Sequence, residues 1–222
     1  MASVQKMNYS DALAQVQAVG LDIVAALNPG ADTPAPKGCK TILMLGPNEP
    51  EFWRLFSTSP EYTDGQPDPM DRWSKRIIAP LADKLGGSPQ FPSDGPSYPA
   101  FFQWALKSGR AWASPVNLMV HDSAGLFVSF RGAITLPTRL SLPKGGPSPC
   151  NACAAPCTTE CPVDALTPTS YDVPRCKAFL RRPEGYECLT RGCRARRICP
   201  ISQTYPRLPQ QSEFHMKAFL DS

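Results

Sequence analysis

The segment CNACAAPCTTECP, residues 150–162, places four cysteines at intervals of three, four and four residues, and the last precedes a proline. Eight of the chain's nine cysteines lie between residues 150 and 199. The later members of the block are Cys176, Cys188, Cys193 and Cys199, with Cys199 also followed by proline. Clustered thiols in a reducing compartment are more often metal ligands than disulfides. The block therefore predicts a metal–thiolate module.

The spacing indicates iron–sulfur clusters in particular. Bacterial ferredoxins use C-x2-C-x2-C-x3-C-P, and residues 150–162 differ from it by one extra residue in the second gap. In proteins with two clusters, the cysteine before the proline binds the other cluster. This crossed rule predicts two [4Fe–4S] clusters, one held by Cys150, Cys153, Cys157 and Cys199 and the other by Cys161, Cys176, Cys188 and Cys193.

Two alternatives for the cysteine block stay open. Zinc sites with four cysteines usually consist of two C-x2–4-C knuckles, and a run closed by Cys161-Pro162 fits a cubane better. The second half of the block lacks a compact C-x2-C loop before Cys193, which leaves open one cluster instead of two. Cys39 stands apart, and we expect it to be a buried structural cysteine.

The net charge is only +4, but seven arginines lie among the later cysteines: Arg175, Arg181, Arg182, Arg191, Arg194, Arg196 and Arg197. Compensation of an anionic metal–thiolate module accounts for them better than nucleic-acid binding, since no aromatic stacking motif accompanies them. Met1 to Ser10 contains no apolar signal core, and no stretch approaches the ~20 apolar residues that span a bilayer. We expect a cytoplasmic protein without a membrane or nucleic-acid partner.

Local patterns predict the elements that precede and follow the cysteines. They are a helix from a Ser10 cap to Leu27, a buried strand at 41–46, helices at 51–56, 71–85 and 99–109, paired strands at 116–121 and 125–136, and a tail helix at 210–220. This mixture predicts an α+β layered domain over residues 1–145, a ferredoxin-like module over 146–205 and a C-terminal tail helix over 206–222. Neither G-x-G-x-x-G nor G-x-x-x-x-G-K-[ST] occurs, which argues against the usual nucleotide enzymes.

One stretch of the first domain resembles a known family. Residues 120–137, VHDSAGLFVSFRGAITLP, resemble the hairpin of the CblC cobalamin-processing family at His121, Gly125, Arg131, Gly132, Leu136 and Pro137. Asp68-Pro69-Met70-Asp71 resembles that family's Asp-Pro-x-Asp. The resemblance implies a nitroreductase-like, CblC-like layered domain that binds base-off cobalamin. The residues expected to contact it are His121, Gly125, Phe130, Arg131 and Gly132.

The cysteine block resembles the two-cluster module of epoxyqueuosine reductase, in its paired Cys-Pro motifs and in Arg175-Cys176-x3-Leu180. That enzyme and the reductive dehalogenases are similar to CblC in fold and hold a corrinoid beside their clusters. The chain departs from epoxyqueuosine reductase in lacking a C-x2-C before Cys193 and the helical-repeat extension that binds tRNA. The combination of these two parts in one chain resembles the bacterial iron–sulfur cobalamin reductases.

The resulting hypothesis is an oxidoreductase that passes single electrons from [4Fe–4S] clusters to the cobalt of cobalamin, with possible reductive loss of the upper ligand. Cobalamin would be its substrate or its permanent cofactor, and a separate electron donor is required. No protein side chain is expected to be catalytic. The alternatives are an electron-transfer ferredoxin with a docking domain and a corrinoid-dependent reductase of an organic substrate.

Two of the expected cobalamin contacts are also open to a structural interpretation. A histidine at a strand end is more often structural than a ligand, and the cobalt-histidine motif D-x-H-x-x-G is absent around His121. Arg131 lies in an apolar run, where an arginine is rare unless it is paired. We therefore expect Arg131 to meet a carboxylate, a corrin amide, a phosphate or a thiol substrate.

Overall fold

The computed structural model describes residues 7–222 and contains helices together with short antiparallel strands. The predicted α+β class is thereby confirmed. The chain groups into two compact units, unit 1 (Met1–Arg110 and Ser129–Gly145) and unit 2 (Ala111–Val128 and Gly146–Ser222). In the described part, no helix is long and apolar enough to cross a membrane. The predicted absence of an apolar signal core concerns Met1–Ser10, of which residues 1–6 lie outside the described residues.

The strands, in chain order, are β1 (Leu21–Leu27), β2 (Thr41–Pro47), β3 (Ser88–Gln90), β4 (Ala111–Ala113), β5 (Met119–His121) and β6 (Gly132–Leu136). The helices are α1 (Tyr9–Gln17), α2 (Glu51–Ser57), α3 (Pro60–Thr63), α4 (Pro69–Lys84), α5 (Phe101–Lys107), α6 (Val173–Leu180), α7 (Tyr186–Arg191), α8 (Arg194–Arg197), α9 (Pro200–Thr204) and α10 (Pro209–Asp221). Short 3-10 turns occupy Pro156–Thr158 and Pro183–Gly185.

Unit 1 is built on a sheet of order β1-β2-β6-β3, in which each neighbouring pair is antiparallel. The central strand β2 is buried along its whole length, as its uninterrupted apolar run predicts. The predicted helices at 51–56, 71–85 and 99–109 are confirmed as α2, α4 and α5, although α4 begins at Pro69 and α5 is shorter than expected. These helices place Trp73, Leu81 and Trp104 in the core of the unit.

The predicted first helix is wrong in its second half. Asn8, and not Ser10, caps α1, and the helix ends before Gly20, whose φ of +78° breaks the helical path. Residues 21–27 then form β1 and pair with β2. Short apolar runs with β-branched residues fit a buried strand as well as a helix, and pairing with the fully buried β2 selects the strand. A bulge between Ile23 and Ala25 interrupts the register.

The predicted hairpin between 116–121 and 125–136 is also wrong. The chain turns at Asp122–Gly125, and His121 and Gly125 exchange backbone hydrogen bonds of 3.0 and 3.1 Å, but the ladder stops there. Strand β5 pairs instead with β4, and β6 begins only at Gly132 and joins the sheet of unit 1. The apolar run is shared between the units, since Leu126 packs in the core of unit 2 while Ile134 is buried in β6.

Unit 2 consists of the β4–β5 ribbon and the cysteine block with its short helices. Its core combines aliphatic and thiol side chains: Val116, Val120, Leu126, Cys157, Leu166, Ala195 and Cys199. The predicted tail helix is confirmed as α10, which packs on α7. The ribbon residues 111–128, assigned from the sequence to the first domain, thus group with the cysteines.

Candidate metal centres

The first four cysteines lie on a loop in which backbone N–H groups donate to the sulfurs of Cys153 and Cys161. Ala155 adopts a left-handed conformation with φ of +52°, and its N–H donates to Cys153 Sγ at 3.3 Å. Further along, the Ala165 N–H donates to Cys161 Sγ at 3.2 Å. Hydrogen bonds from backbone amides to cysteine sulfur are among the interactions that tune iron–sulfur clusters. The loop therefore has the local structure of a metal-binding turn.

Cys150, Cys153, Cys157 and Cys199 come together as one group. Burial raises the pKa of Cys157, and the negative charges of Cys199, Cys150 and Cys153 raise it further. The pKa of Cys150 is raised by burial first and then by Cys153 and Cys199. Cys157 and Cys199 are themselves buried in the core of unit 2. The raised pKa values mean that Cys150 and Cys157 are neutral thiols unless a bound cation stabilises their thiolates.

Cys161, Cys176, Cys188 and Cys193 form the second group. The pKa of Cys176 is raised mainly by burial and also by the charges of Cys193, Cys161 and Cys188. Burial likewise raises the pKa of Cys188, while the positive charge of Arg197 acts in the opposite direction. Charge interactions thus link cysteines within each of the two groups that the crossed rule predicts. Their role as cluster ligands stays a prediction.

Among residues 7–222, no group of three or more His, Cys, Asp or Glu side chains is arranged so that it could hold a metal ion. Four thiolates around one zinc ion all touch that ion, with Zn–S bonds of about 2.3 Å. The thiolates around a cubane each bind a different iron, so that they stand further apart.

A cavity of about 400 Å³ opens beside the first group of cysteines. Cys150, Cys153 and Cys199 line it together with Val120, Ile201 and several prolines and alanines. Such an apolar wall lowers the local dielectric and shields a bound group from water, both of which influence a cluster's potential. The donor set and the space fit an iron–sulfur cluster.

An unsatisfied amide accompanies the second group. Gln211 of α10 is fully buried, and neither its Oε1 nor its Nε2 has a hydrogen-bond partner among the described residues. Helix α10 packs on α7, which carries Cys188, and the next residue, Ser212, lies 3.0 Å from where a Cβ on Gly192 would stand. A buried polar group without a protein partner needs an explanation, and a bound group that supplies the missing acceptor or donor is one.

Tyr171 was not identified from the sequence. Burial raises the pKa of its phenol, and a hydrogen bond to Cys176 raises it further. Its ring stacks on Phe219 of α10 at a centroid distance of 6.0 Å. The only sequence signal was its position five residues before Cys176, which no spacing rule singles out.

The expected cobalamin contacts are divided between the units. His121 and Gly125 belong to unit 2, whereas Phe130, Arg131 and Gly132 belong to unit 1. Nδ1 of the buried His121 accepts from the backbone N–H groups of Ser123 and Ala124 at 3.3 and 3.1 Å. Because Nδ1 is therefore an acceptor, its 3.4 Å approach to Asp122 is not an ion pair. His121 holds the turn that follows β5.

Close packing accounts for the two glycines. A Cβ on Gly125, whose φ is +56°, would lie 2.5 Å from the Ser202 nitrogen. A Cβ on Gly132 would lie 2.7 Å from the Ile78 side chain. Phe130 is half-buried, with its ring 6.2 Å from that of Phe101. These positions therefore need no ligand to account for them.

Arg131 differs from the other four. Its side chain is 15% exposed, and its nearest carboxylate, Asp71, stands 4.0 Å away. Its Nε has no hydrogen-bond partner among residues 7–222, and neither does the buried hydroxyl of Ser129 two residues earlier. Burial lowers the pKa of the guanidinium, and the Asp71 charge opposes that change. Arg131 and Asp71, both singled out from the sequence, thus lie near each other within unit 1.

The lone Cys39 is half-buried, its thiol donates to the Thr41 carbonyl at 3.3 Å, and burial raises its pKa. It lies in unit 1, apart from both groups. Comparison of the chain with protein-family models, with curated proteins and with solved structures gives no significant match.

Proposed function

We propose that the protein is an iron–sulfur oxidoreductase that uses two [4Fe–4S] clusters to reduce the cobalt of cobalamin by single electrons. The observation that supports the iron–sulfur part is the ferredoxin-like spacing of eight cysteines, of which Cys150, Cys153 and Cys199 line one apolar cavity. The clusters would supply one-electron transfer. The cysteines would bind the clusters. The N–H groups of Ala155 and Ala165 donate to cysteine sulfurs, and the apolar cavity would keep water away from the first cluster.

Cobalamin as the electron acceptor rests on the CblC resemblance and on Arg131. An arginine and a serine hydroxyl with unsatisfied, buried polar atoms suit a ligand that presents carbonyl or phosphate oxygens. Cobalamin carries both around a large apolar ring. The sheet and helices of unit 1 are compatible with the CblC-like, nitroreductase-like form of the proposal.

One observation favours an electron-transfer protein without corrinoid as the second candidate. Three of the five expected contacts, His121, Gly125 and Gly132, have structural roles in the protein itself. In that case unit 1 would serve to dock a partner enzyme.

Anaerobic reconstitution followed by iron and sulfide analysis tests the cluster part. We expect about eight irons and eight sulfides per chain, and about four would mean one cluster. Cys39→Ala is the matched control and should leave both counts unchanged. One tightly bound zinc per four cysteines, with no sulfide, would contradict the proposal.

Titration of the reconstituted protein with cobalamin tests the acceptor. We expect the cobalt spectrum to shift to the base-off form at micromolar protein, and reduced protein to yield lower-valent cobalt. Arg131→Met should weaken binding about tenfold or more, as for loss of a hydrogen bond from a charged group. Arg139→Met, at an exposed site, should bind like the unaltered protein. Full cluster content without any corrinoid binding would favour the second candidate.

A further inference from the structure

Three arginines of unit 2 have no anionic partner in the part of the chain that the structure describes. Arg175, Arg181 and Arg182 are exposed, and within residues 7–222 no carboxylate lies at ion-pair distance from their guanidinium groups. The other arginines of the block are engaged: Arg191 and Arg197 with Glu187, Arg194 with Glu160, and Arg196 with the Leu126 carbonyl. Compensation within the protein therefore accounts for these four arginines but not for the first three.

The three arginines lie beside the second group of cysteines. Arg175 precedes Cys176 on α6, and Arg181 and Arg182 follow the last residue of that helix. With a rise of 1.5 Å per residue, Leu180, the last residue of α6, stands about 6 Å along the helix axis from Cys176. A protein bound to these arginines would therefore approach the second cluster closely.

An exposed aromatic side chain follows these arginines in the chain. Tyr186, at the start of α7, is 66% exposed. Tyrosine and arginine are enriched at the centres of protein interfaces. Residues 172–186 contain four basic and two acidic side chains, and Asp172 is engaged as the cap of α6 through the Arg175 N–H. We call Arg175, Arg181, Arg182 and Tyr186 the arginine surface.

We infer that the arginine surface is the docking site of an acidic one-electron carrier protein, which reduces the cluster of the second group. The inference rests on the proposed function. In the transfer, the carrier is oxidised by one electron and the cluster is reduced by one, with no bond formed or broken. Opposite charges at such a surface accelerate encounter and orient the carrier. A single-stranded nucleic acid would instead need several stacking aromatics, and this surface exposes one.

The test compares two reconstituted variants with equal change in net charge. Arg175→Glu/Arg181→Glu/Arg182→Glu alters the arginine surface, and Lys84→Glu/Arg139→Glu/Lys144→Glu alters exposed basic residues of unit 1. Stopped-flow spectroscopy measures reduction by a photoreduced acidic [2Fe–2S] ferredoxin at low and high salt. Anisotropy of the labelled ferredoxin measures binding. A small uncharged reductant, photoreduced deazaflavin, reports on the clusters alone.

We expect the arginine-surface variant to lose at least about tenfold in the second-order rate at low salt, together with most of the salt dependence and of the binding. Its reduction by deazaflavin should be unchanged, and the unit 1 variant should stay within about twofold of the unaltered protein. Wild-type rates and salt dependence in the arginine-surface variant would overturn the docking site while leaving the clusters intact. Salt-dependent RNA binding abolished in that variant, with ferredoxin kinetics unchanged, would also overturn it. Protein without iron and sulfide after reconstitution would overturn both proposals.

Discussion

Both amide atoms of the buried Gln211 and the buried Nε of Arg131 have no hydrogen-bond partner among the described residues. Burial of an amide or guanidinium group without partners costs free energy, so a natural chain rarely keeps such a group without a use. Gln211 lies on α10, which packs against the helix of Cys188, and Arg131 lies on the stretch that resembles CblC. Gln211 relates to the cluster part of the proposed function, and Arg131 relates to its cobalamin part.

Substitution of Gln211 by leucine separates a structural role from a role toward the cluster. Without clusters, Gln211→Leu should raise the free energy of unfolding by about 1–3 kcal/mol, because it removes an unsatisfied buried amide. In reconstituted protein, the same change should lower the midpoint potential of one cluster, because hydrogen bonds to cluster sulfur favour the reduced state. Chemical denaturation and a redox titration followed by electron paramagnetic resonance measure the two effects.

The exposed neighbour Gln210 provides the control on the same helix. Gln210→Leu should change neither quantity. If Gln211→Leu destabilised the cluster-free protein and left both potentials unchanged, Gln211 would be an ordinary core residue with no contact to a cluster.

At the scale of elements, the turn after β5 depends on Gly125. Its φ of +56° disfavours any side chain, and an added Cβ would meet the backbone of Ser202 at 2.5 Å. The Leu126 N–H also donates to the buried Ser202 hydroxyl at 2.8 Å, so the turn and α9 are fixed together. Because Cys199 directly precedes α9, displacement of this helix also displaces a predicted ligand of the first cluster.

Gly125→Ala should therefore destabilise unit 2 by about 2 kcal/mol or more, of which about 1–2 kcal/mol comes from the left-handed backbone alone. Gly146→Ala is the matched control, since a Cβ at that exposed glycine would meet nothing within 4 Å. Thermal unfolding measures both variants. Equal melting temperatures for the two would show that the turn tolerates a side chain and does not fix α9.

The sequence predicts an element well when its residue pattern fits only one position in the fold. The run at 41–46 is apolar without interruption and becomes the fully buried β2. Residues 21–27 and 125–136 are ambiguous, because their apolar patterns suit several partners and only tertiary pairing chooses among them. Helix α1 ends just before Gly20, and the left-handed conformation of this glycine is visible only in the structure.

For the candidate site, the spacing of the cysteines predicts the two groups. In ferredoxins the geometry of ligands around a cubane restricts the length of a loop such as the one between Cys150 and Cys161. The hydrogen bond from Tyr171 and the burial of Gln211 could not be predicted in this way. Both depend on where α10 packs, and no local pattern encodes that position. For His121 the sequence suggested a ligand contact that the structure does not require. Its Nδ1 accepts hydrogen bonds from the backbone of the turn that follows it.

At the scale of the whole molecule, the central claim is that two crossed groups of cysteines hold two clusters. A sequential arrangement would instead use Cys150, Cys153, Cys157 and Cys161 for one cluster and the later four for the other. The two arrangements differ in the partners of Cys153, which shares a group with Cys199 in the crossed arrangement and with Cys161 in the sequential one. Two double variants therefore distinguish them.

The decisive measurement is the iron and sulfide content of these two double variants after anaerobic reconstitution. With crossed groups, Cys153→Ala/Cys199→Ala should retain one intact cluster and about four irons per chain, whereas Cys153→Ala/Cys161→Ala damages both groups and should retain almost none. The reverse result, about four irons in Cys153→Ala/Cys161→Ala and almost none in Cys153→Ala/Cys199→Ala, would contradict the crossed assignment.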